Sequence, residues 1–320
     1  ARAPRVPRPA RAAGTPRAGA CRSSAARESR SVQWMASGRI SEAERRFLLD
    51  GADQGIRNDG RGCFDFRRVT CEVGPVPAAT NSCRLRAGET DILVGVNCDV
   101  FRPGRQAPDE GRFRISVECA ASVSVEFAGG RGAEDQGQRL STLLETLCGG
   151  EQVLSRRALC VAPGAFAWEV RADVLVLSSG GNLLDSASLA LCAALAGTLL
   201  PRVEVVEAAE EGEQMQLTVD DRPEVGTPVP LSRWPLCVTV AQLRGPLRRT
   251  FLLDVSPEEE LCAEAVLCVV VDAKSGAVIG QHKLGRGLFD LAALPSMLGH
   301  CRTAAAALAR ELGKDFARLL

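Results

Sequence analysis

Runs of apolar residues in the middle of the chain predict a strand, a turn, a helix and a second strand. Val174–Leu177 is apolar throughout and too short for a helix, which predicts a central strand covered on both faces. Gly180 and Gly181 interrupt it. Leu183–Ala196 is rich in Leu and Ala and apolar on both sides, which predicts a helix buried nearly all round. A new strand begins at Val203, so this stretch predicts the core of an α/β domain.

The glycine pair also permits a phosphate site, because free N–H groups and the helix dipole point outward at a helix N-terminus. The sequence Gly-Gly-Asn lacks the lysine of a P-loop and the spacing of a dinucleotide fingerprint. We therefore expect a plain strand-to-helix turn, with Asn182 or Asp185 as the cap.

The same patterns predict elements on both sides of this stretch. Ser41–Asp50 has a capping box from Ser41 to Glu44 and an apolar face at Phe47 and Leu48, which predicts a short helix. Strand blocks followed by helices occur twice, which predicts two similar α/β halves. The further predicted elements are strands at 69–73, 82–85, 90–96, 113–119, 159–163, 167–170, 236–240, 251–255 and 278–282, helices at 133–148 and 288–312 (with a possible break at Gly299), and a helix or strand over 257–271.

Composition sets the predicted domain boundaries. Residues 1–40 are rich in Arg, Ala and Pro, and we expect a disordered extension because they offer too little apolar surface to bury. A transit peptide is a second interpretation. A third interpretation, which we favour, is that the protein begins at Met35 and that residues 1–34 are upstream sequence translated in a gene model. The two halves are expected at 41–206 and 234–320, joined by an acidic, Pro-rich connection over 207–233.

The neutral net charge conceals an asymmetry. Residues 1–34 contain eight Arg and one Glu, so the remainder carries about −7. A mildly acidic folded part is not a general nucleic-acid binder, so any RNA contact must be local.

Thirteen cysteines and two histidines argue against several kinds of site. No CxxC pair occurs and the cysteine number is odd, which disfavours zinc sites and a disulfide framework, and two histidines leave little scope for histidine-based triads. We expect reduced thiols of a cytosolic or nuclear protein, buried at Cys192, Cys237, Cys262 and Cys268, and no cofactor or metal.

Several phrases, taken in order from about Ser41 to Leu312, resemble the RNase PH-like ring subunits of the RNA exosome. The phrases are SEAERRFLLDG, IRNDGRGCFDFR, GETDILVGV, VSVEFAGGRG, DVLVLSSGGNLLDSASLALCAAL, LPRVEVVE, LLDVSPEEELCAEA and HKLGRG.

The resemblance implies an α/β (α+β) RNase PH-like fold of mixed sheets and packed helices, related to the second domain of a small-subunit ribosomal protein. It implies a six-membered heteromeric ring topped by cap subunits, with RNA threading the channel to associated nucleases and no membrane partner. Implied locations are the nucleus, nucleolus and cytoplasm.

The phosphorolytic chemistry of active relatives requires carboxylates and a phosphate site. Active members have Asp directly before the glycine pair, where this chain has Ser179. They have another Asp where this chain has, by an approximate alignment, Arg233. The Gly-Pro-Arg-Glu phrase of active members is not reproduced at Val100–Arg105. We expect a non-catalytic scaffold. The alternatives are a phosphate-dependent exoribonuclease forming its own ring and an α/β protein unrelated to RNA.

Arginines near one loop and one glycine turn are the candidate RNA contacts, because guanidinium groups bind phosphates without reading sequence. In archaeal counterparts, arginines of the corresponding loop region help hold RNA, which favours Arg112, Arg131 and Arg139. Surface pairing with Asp109, Glu110, Glu134 and Asp135 is the alternative. The full candidate set is Arg102, Arg105, Arg112, Arg114, Arg131 and Arg139.

Other polar and aromatic residues favour structural roles. Asp185 falls in a first helical turn, where a carboxylate complements the dipole, and Glu258–Glu260 follows Pro257 at another helix start. Trp168 and Trp234 lack the surrounding basic residues of a base-stacking site, so we expect them to pack in the core.

Overall fold

The computed structural model describes residues 40–120, 123, 131–206, 215–220, 222, 225–285, 287–289 and 291–313. The helices in this part are α1 (Glu42–Gln54), α2 (Arg131–Cys148), α3 (Leu183–Gly197), α4 (Pro257–Cys262) and α5 (Leu294–Gly313). The strands are β1 (Val69–Val73), β2 (Asn81–Ala87), β3 (Thr90–Phe101), β4 (Arg112–Cys119), β5 (Cys160–Ala162), β6 (Phe166–Ser178), β7 (Leu199–Leu200), β8 (Arg202–Val206), β9 (Gln216–Asp220), β10 (Thr227–Pro228), β11 (Pro235–Arg244), β12 (Arg249–Leu253), β13 (Ala263–Asp272) and β14 (Val278–Leu284).

Two sheets carry the fold. The first has the order β1-β2-β3-β6-β4, with β5 added to β6; β4 runs parallel to β6 and the other pairs are antiparallel. The second is antiparallel in the order β12-β11-β13-β14. The mixed sheets with packed helices confirm the predicted fold class.

Helix α3 lies between the two sheets. It contacts β2 and β3 of the first sheet and β11 of the second, and every residue from Leu183 to Ala196 is buried. The predicted helix buried on all sides is therefore confirmed, because a Leu- and Ala-rich surface can pack against a sheet on either side.

Strand β6 holds the predicted central position, but the prediction that both of its faces are covered was wrong. Val174 and Val176 are buried, whereas Leu175 and Leu177 are only partly buried. Helices pack on one face, and the other carries polar cross-strand pairs such as Arg171–Asp99 at 2.6 Å. An antiparallel arrangement tolerates one such solvated face.

The predicted capping box of α1 is confirmed. Ser41 Oγ accepts the Glu44 N–H, and the Glu44 carboxylate accepts the Ser41 N–H. The apolar face predicted at Phe47 and Leu48 was wrong for Phe47, which is 66% exposed, whereas Leu48 is partly buried and packs against the core. The helix also buries Ala52 and Asp53.

The second sheet is backed by α5, whose Met297 and Cys301 join a cluster with Val238 and Leu253. The helix begins at Leu294 rather than 288 and continues through Gly299, where a break was considered possible. The 257–271 region divides into α4 and β13.

Two small, two-stranded sheets lie outside the two main sheets. β8 pairs with β9 in a hairpin rather than extending the core sheet, and β7 pairs with β10. Residues 1–39 lie outside the described part, so their predicted disorder stays a prediction, as do the domain boundaries. None of the described helices is long and apolar enough to cross a membrane.

Candidate nucleic-acid interface

An open cleft of about 370 Å³ lies beside the loop that joins β3 to β4. Gly111 seats the start of β4 against the 3₁₀ helix over residues 156–159: its N–H donates to the Arg156 carbonyl at 2.8 Å. A Cβ at this position would overlap the Leu159 Cβ and lie 2.5 Å from the Trp168 carbonyl oxygen, so only glycine fits. The cleft is lined by Phe101, Pro103, Gly104, Gln106, Ala107, Glu110, Gly111, Arg112, Phe113, Arg114 and Arg156.

Two candidate arginines project from the exposed face of β4 and share one carboxylate. Arg114 Nε lies 3.2 Å from Glu169 Oε1, and Arg112 Nη1 lies 4.0 Å from the same oxygen. The Arg112 guanidinium also stacks 4.2 Å from the centre of the Phe101 ring. Two cations facing one anion leave a positive surplus on a surface that reaches solvent, which suits phosphate contact.

The proposed alternative partners of these arginines are not the ones found. Arg112 and Arg114 approach Glu169 on β6, whereas Asp109 pairs with Arg157 at 3.3 Å. Sequence spacing suggested the nearby acids, but strand pairing places Arg112 directly beside Glu169.

The structure gathers some of the candidate arginines and separates others. Arg102 lies 5.9 Å from the Phe166 ring, beside the same loop as Arg112. Arg105 is an exposed residue of that loop, and Arg139 is exposed on α2. Helix α2 packs against β4, and its Ser141 Oγ donates to the Ile115 carbonyl at 2.7 Å. Because the buried Ile115 side chain lies on the opposite side of the strand from Arg112 and Arg114, Arg139 on this helix does not join them. Arg131 begins α2, and the glycine turn before it lies outside the described residues.

Sequence reasoning missed three residues of this region. Phe101 and Phe166 supply aromatic faces for arginines, and Arg156 adds a further cation to the cleft wall. The adjacent pair Arg156–Arg157 was a signal for the added positive charge. The aromatic contacts had none, because they depend on strand pairing.

The glycine pair is a plain turn, as predicted, because its N–H groups already have acceptors. Gly180 N–H donates to Thr90 Oγ1 at 3.0 Å, Gly181 N–H to Ser179 Oγ at 3.4 Å, and Asn182 N–H to Glu260 Oε1 at 2.7 Å. None of these three N–H groups remains for a phosphate. Asn182 occupies the cap position without capping through its side chain.

A second polar centre, which the sequence did not indicate, lies next to this turn at Asp254. Its carboxylate accepts from Arg61 Nη1 at 2.7 Å, and from the Arg67 backbone N–H, Nε and Nη2 at 2.7, 2.9 and 2.7 Å. Arg57 forms a bidentate pair with Glu259 at 2.9 and 2.6 Å. These arginines belong to the phrase IRNDGRGCFDFR, and Arg67 joins it to the glycine turn as well as to Asp254, because it also donates to the Gly180 and Gly181 carbonyls.

The pKa values of the carboxyl groups in this centre are shifted in opposite directions. Burial acts to raise the pKa of Asp254, but the hydrogen bonds and charge of Arg67 hold it below its usual value. Burial raises the pKa of Glu260 to about 7 despite the Asn182 N–H. It also raises the pKa of Asp185 well above its usual value, although the Thr239 N–H and Asn182 donate to Asp185 Oδ2. Asp185 lies in the first turn of α3, as predicted.

The positions expected to lack catalytic carboxylates lie as follows. Ser179 sits at the end of β6, and Arg233 is exposed just before β11.

The two predicted packing residues are confirmed, since Trp168 and Trp234 are buried. The four cysteines predicted to be buried are buried, and the twelve from Cys63 to Cys301 are free thiols.

Comparison with known proteins identifies the family. The profile of the 3′ exoribonuclease family, domain 1, matches residues 65–201, and that of domain 2 matches residues 234–298. The exosome complex component Rrp42 of Methanocella arvoryzae is 31% identical over 261 residues, covering 82% of this chain and 90% of that protein. A putative exosome complex exonuclease RRP42 of Dictyostelium discoideum is 28% identical over 282 residues, covering 73% and 85%.

A solved structure supports the same assignment. A chain of the Archaeoglobus fulgidus exosome with RNA bound to the active site superposes with a TM-score of 0.68 at 25% identity, covering 84% of this chain and 98% of that one. Both domain profiles fall on the two sheets described above, in the same order. The chain therefore belongs to the RNase PH-like 3′ exoribonuclease family.

Proposed function

We propose that this chain is a non-catalytic structural subunit of the RNA exosome ring, helping to form the central channel for 3′-to-5′ RNA processing and decay. One observation carries the proposal: 82% of the chain aligns with an exosome complex component at 31% identity. Its partners are the other RNase PH-like ring subunits, the cap subunits, the associated nucleases and the RNA in the channel. Within the family we place it nearest to animal exosome component seven, acting in nucleus, nucleolus and cytoplasm.

The absence of catalysis is proposed from how the carboxylates near the glycine turn are used. Asp254 is occupied by Arg61 and Arg67, and Asp185 is buried with a raised pKa. Ser179 offers a hydroxyl where active relatives have a carboxylate. A general acid must reach the leaving ribose oxygen, and neither buried aspartate is available for this.

Native mass spectrometry of the complex, purified from cells through a C-terminal tag, tests the assembly. We expect one copy of this chain among several different chains. A homohexamer or a free monomer would contradict the ring assignment.

A nuclease assay tests the second part separately. The purified full chain is incubated with single-stranded RNA, phosphate and Mg²⁺, and we expect no release of nucleoside diphosphates. Phosphate-dependent degradation that Asp185→Asn abolishes would establish the alternative, an active exoribonuclease.

The cleft arginines are proposed to contact the RNA backbone. In the assembled ring, Arg112→Glu with Arg114→Glu should weaken RNA binding, and the slope of log K against log salt should fall by about 0.7 for each phosphate that the variant no longer binds. The control is Arg202→Glu with Arg222→Glu, which reverses two exposed, ion-paired arginines outside the main sheets. Equal binding by both variants would contradict the assignment. Arg131 and Arg139 are reversed as a separate pair, because the structure sets Arg139 apart.

A further inference from the structure

The hairpin that joins β11 to β12 presents the most exposed large apolar side chain of the described part. Its tip consists of Pro246 and Leu247, and Leu247 is 86% exposed. A second exposed aliphatic residue, Ile56 (62%), follows the end of α1. Single exposed leucines are common on proteins, so exposure alone assigns nothing here.

The tip is held rigidly. Leu247 N–H donates to the Asp53 carboxylate at 2.8 Å, which ties the tip to the last turn of α1. Gly245 N–H donates to the Arg248 carbonyl at 3.1 Å and closes the turn. A Cβ on Gly245 would collide with Asp53 Oδ1, so the helix carboxylate and the hairpin fit together only with glycine at this position. Pro246 restricts the backbone further. Because these contacts already fix the backbone of the tip, it loses little conformational entropy when a partner covers it.

Two arginines follow the exposed leucine in the sequence. Arg248 and Arg249 come directly after Leu247, and both are exposed. Neither forms an ion pair with any residue in the described part of the chain. The nearby Arg244 is already paired with Glu264 at 3.6 Å. The tip therefore combines an apolar anchor with two uncompensated positive charges on an otherwise mildly acidic fold.

We propose that this tip is a docking surface for a neighbouring protein subunit, one that offers an apolar pocket rimmed by carboxylates. The inference rests on the proposed ring membership and names the surface through which the chain meets one neighbour. Charge complementarity selects an acidic rim, and Leu247 inserts into the pocket. An aliphatic anchor next to arginines follows the pattern of binding hot spots, in which a few desolvated residues carry most of the affinity.

The side chains favour protein over RNA as the occupant. RNA-binding tips stack bases on aromatic rings, whereas Leu247 is aliphatic and has no preferred contact with a base. Two arginines alone would serve RNA phosphates equally well, so the leucine decides between the two classes.

The experiment uses the full chain, tagged at its C-terminus and assembled with the other exosome subunits. Leu247→Asp, and separately Arg248→Glu with Arg249→Glu, should each weaken binding to one neighbouring subunit, on the order of 30-fold for the leucine variant. Wild-type binding should also weaken with salt, and the arginine variant should lose that dependence. The control is Leu291→Asp, an equally exposed leucine (79%) in a different segment.

A benzophenone amino acid in place of Leu247 identifies the occupant. Cross-linking to another exosome subunit supports the proposal; cross-linking only to RNA, only to a second copy of this chain, or to nothing overturns it. If wild type enters the ring and both tip variants bind as tightly as the control, the docking surface is wrong and the ring assignment stands. If wild type does not assemble at all, the proposed function itself fails. Unchanged thermal unfolding of each variant excludes misfolding as the cause.

Discussion

Replacing Asp254 by Asn tests whether the buried polar centre holds the two halves of the chain together. Both carboxylate oxygens accept hydrogen bonds, Oδ1 from Arg67 and Asn182, and Oδ2 from Arg61 and from Arg67. The side-chain amide of the Asn variant can accept hydrogen bonds only through its oxygen. Whichever way the amide is turned, its NH₂ group therefore faces one of these two sets of donors. Asp254 has φ 46°, and Asn adopts this left-handed conformation readily, so the substitution adds no backbone strain.

The expected loss follows from burial. Asp254 is buried and its partners Arg61 and Arg67 are mostly buried, with side-chain exposures of 4%, 14% and 14%. Removing one partner of a buried ion pair leaves an uncompensated charge and costs about 3–5 kcal/mol of unfolding free energy. The carboxylate must be ionised to contribute. Because its pKa is lowered, the contribution is present above the ordinary value of 3.8 and is lost as the pH falls through the folded-state pKa.

Asp91→Asn is the matched control. Asp91 also accepts a bidentate pair, from Arg84 at 2.9 and 2.7 Å, but on the solvated face of the first sheet. We expect this variant to lose at most about 1 kcal/mol. Urea unfolding of wild type and both variants at pH 7.5, followed by circular dichroism, gives the two differences.

Similar losses of unfolding free energy in the two variants would refute the reasoning, because burial would then not determine how much an ion pair contributes to stability. A loss below about 1 kcal/mol for Asp254→Asn would do the same. A changed slope of the unfolding transition would show instead that the halves no longer unfold together.

Two further predictions concern other parts of the fold. Burial raises the pKa of Glu260 from 4.5 to about 7, so its neutral form stabilises the fold fully below pH 4.5 and this contribution is lost as the pH rises to about 7. In this pH window the unfolding free energy of wild type should fall by about 1.4 kcal/mol per pH unit, and that of Glu260→Gln should not, as measured by urea unfolding at several pH values. The same fall in the variant would exclude Glu260 as its source. Gly111→Ala overpacks the cleft wall and should cost about 1–3 kcal/mol, whereas Gly104→Ala, in the loop beside the same cleft, meets no atom within 4 Å and should be neutral. Thermal unfolding compares the two glycine variants, and equal melting temperatures would contradict the close packing at Gly111.

Local patterns were sufficient where the determining interactions lie within a few residues. The composition of Leu183–Ala196 predicts a helix because Leu and Ala favour one and no proline interrupts it, and the Ser41–Glu44 capping box closes within one turn. The order of such elements along the chain predicts two α/β halves, and the two domain profiles match residues 65–201 and 234–298 in that order. The ordered family phrases gave the fold class, which the domain profiles confirm.

Packing decided what covers each element. The apolar run Val174–Leu177 identifies a strand, but whether one or two layers of helices cover it depends on where α2 and α3 settle. Phe47 shows the same limit, since its place in an amphipathic pattern did not bury it.

Long-range pairing decided the polar centre and the candidate interface. Arg67 and Asp254 are 187 residues apart, Asn182 and Glu260 are 78 apart, and Arg114 meets Glu169 only because β4 lies beside β6. The sequence determined by itself which segments form helices and strands, because backbone geometry and apolar periodicity act locally. Which charges face each other is set only when those segments pack, because electrostatic partners are chosen by proximity in space and not by spacing along the chain.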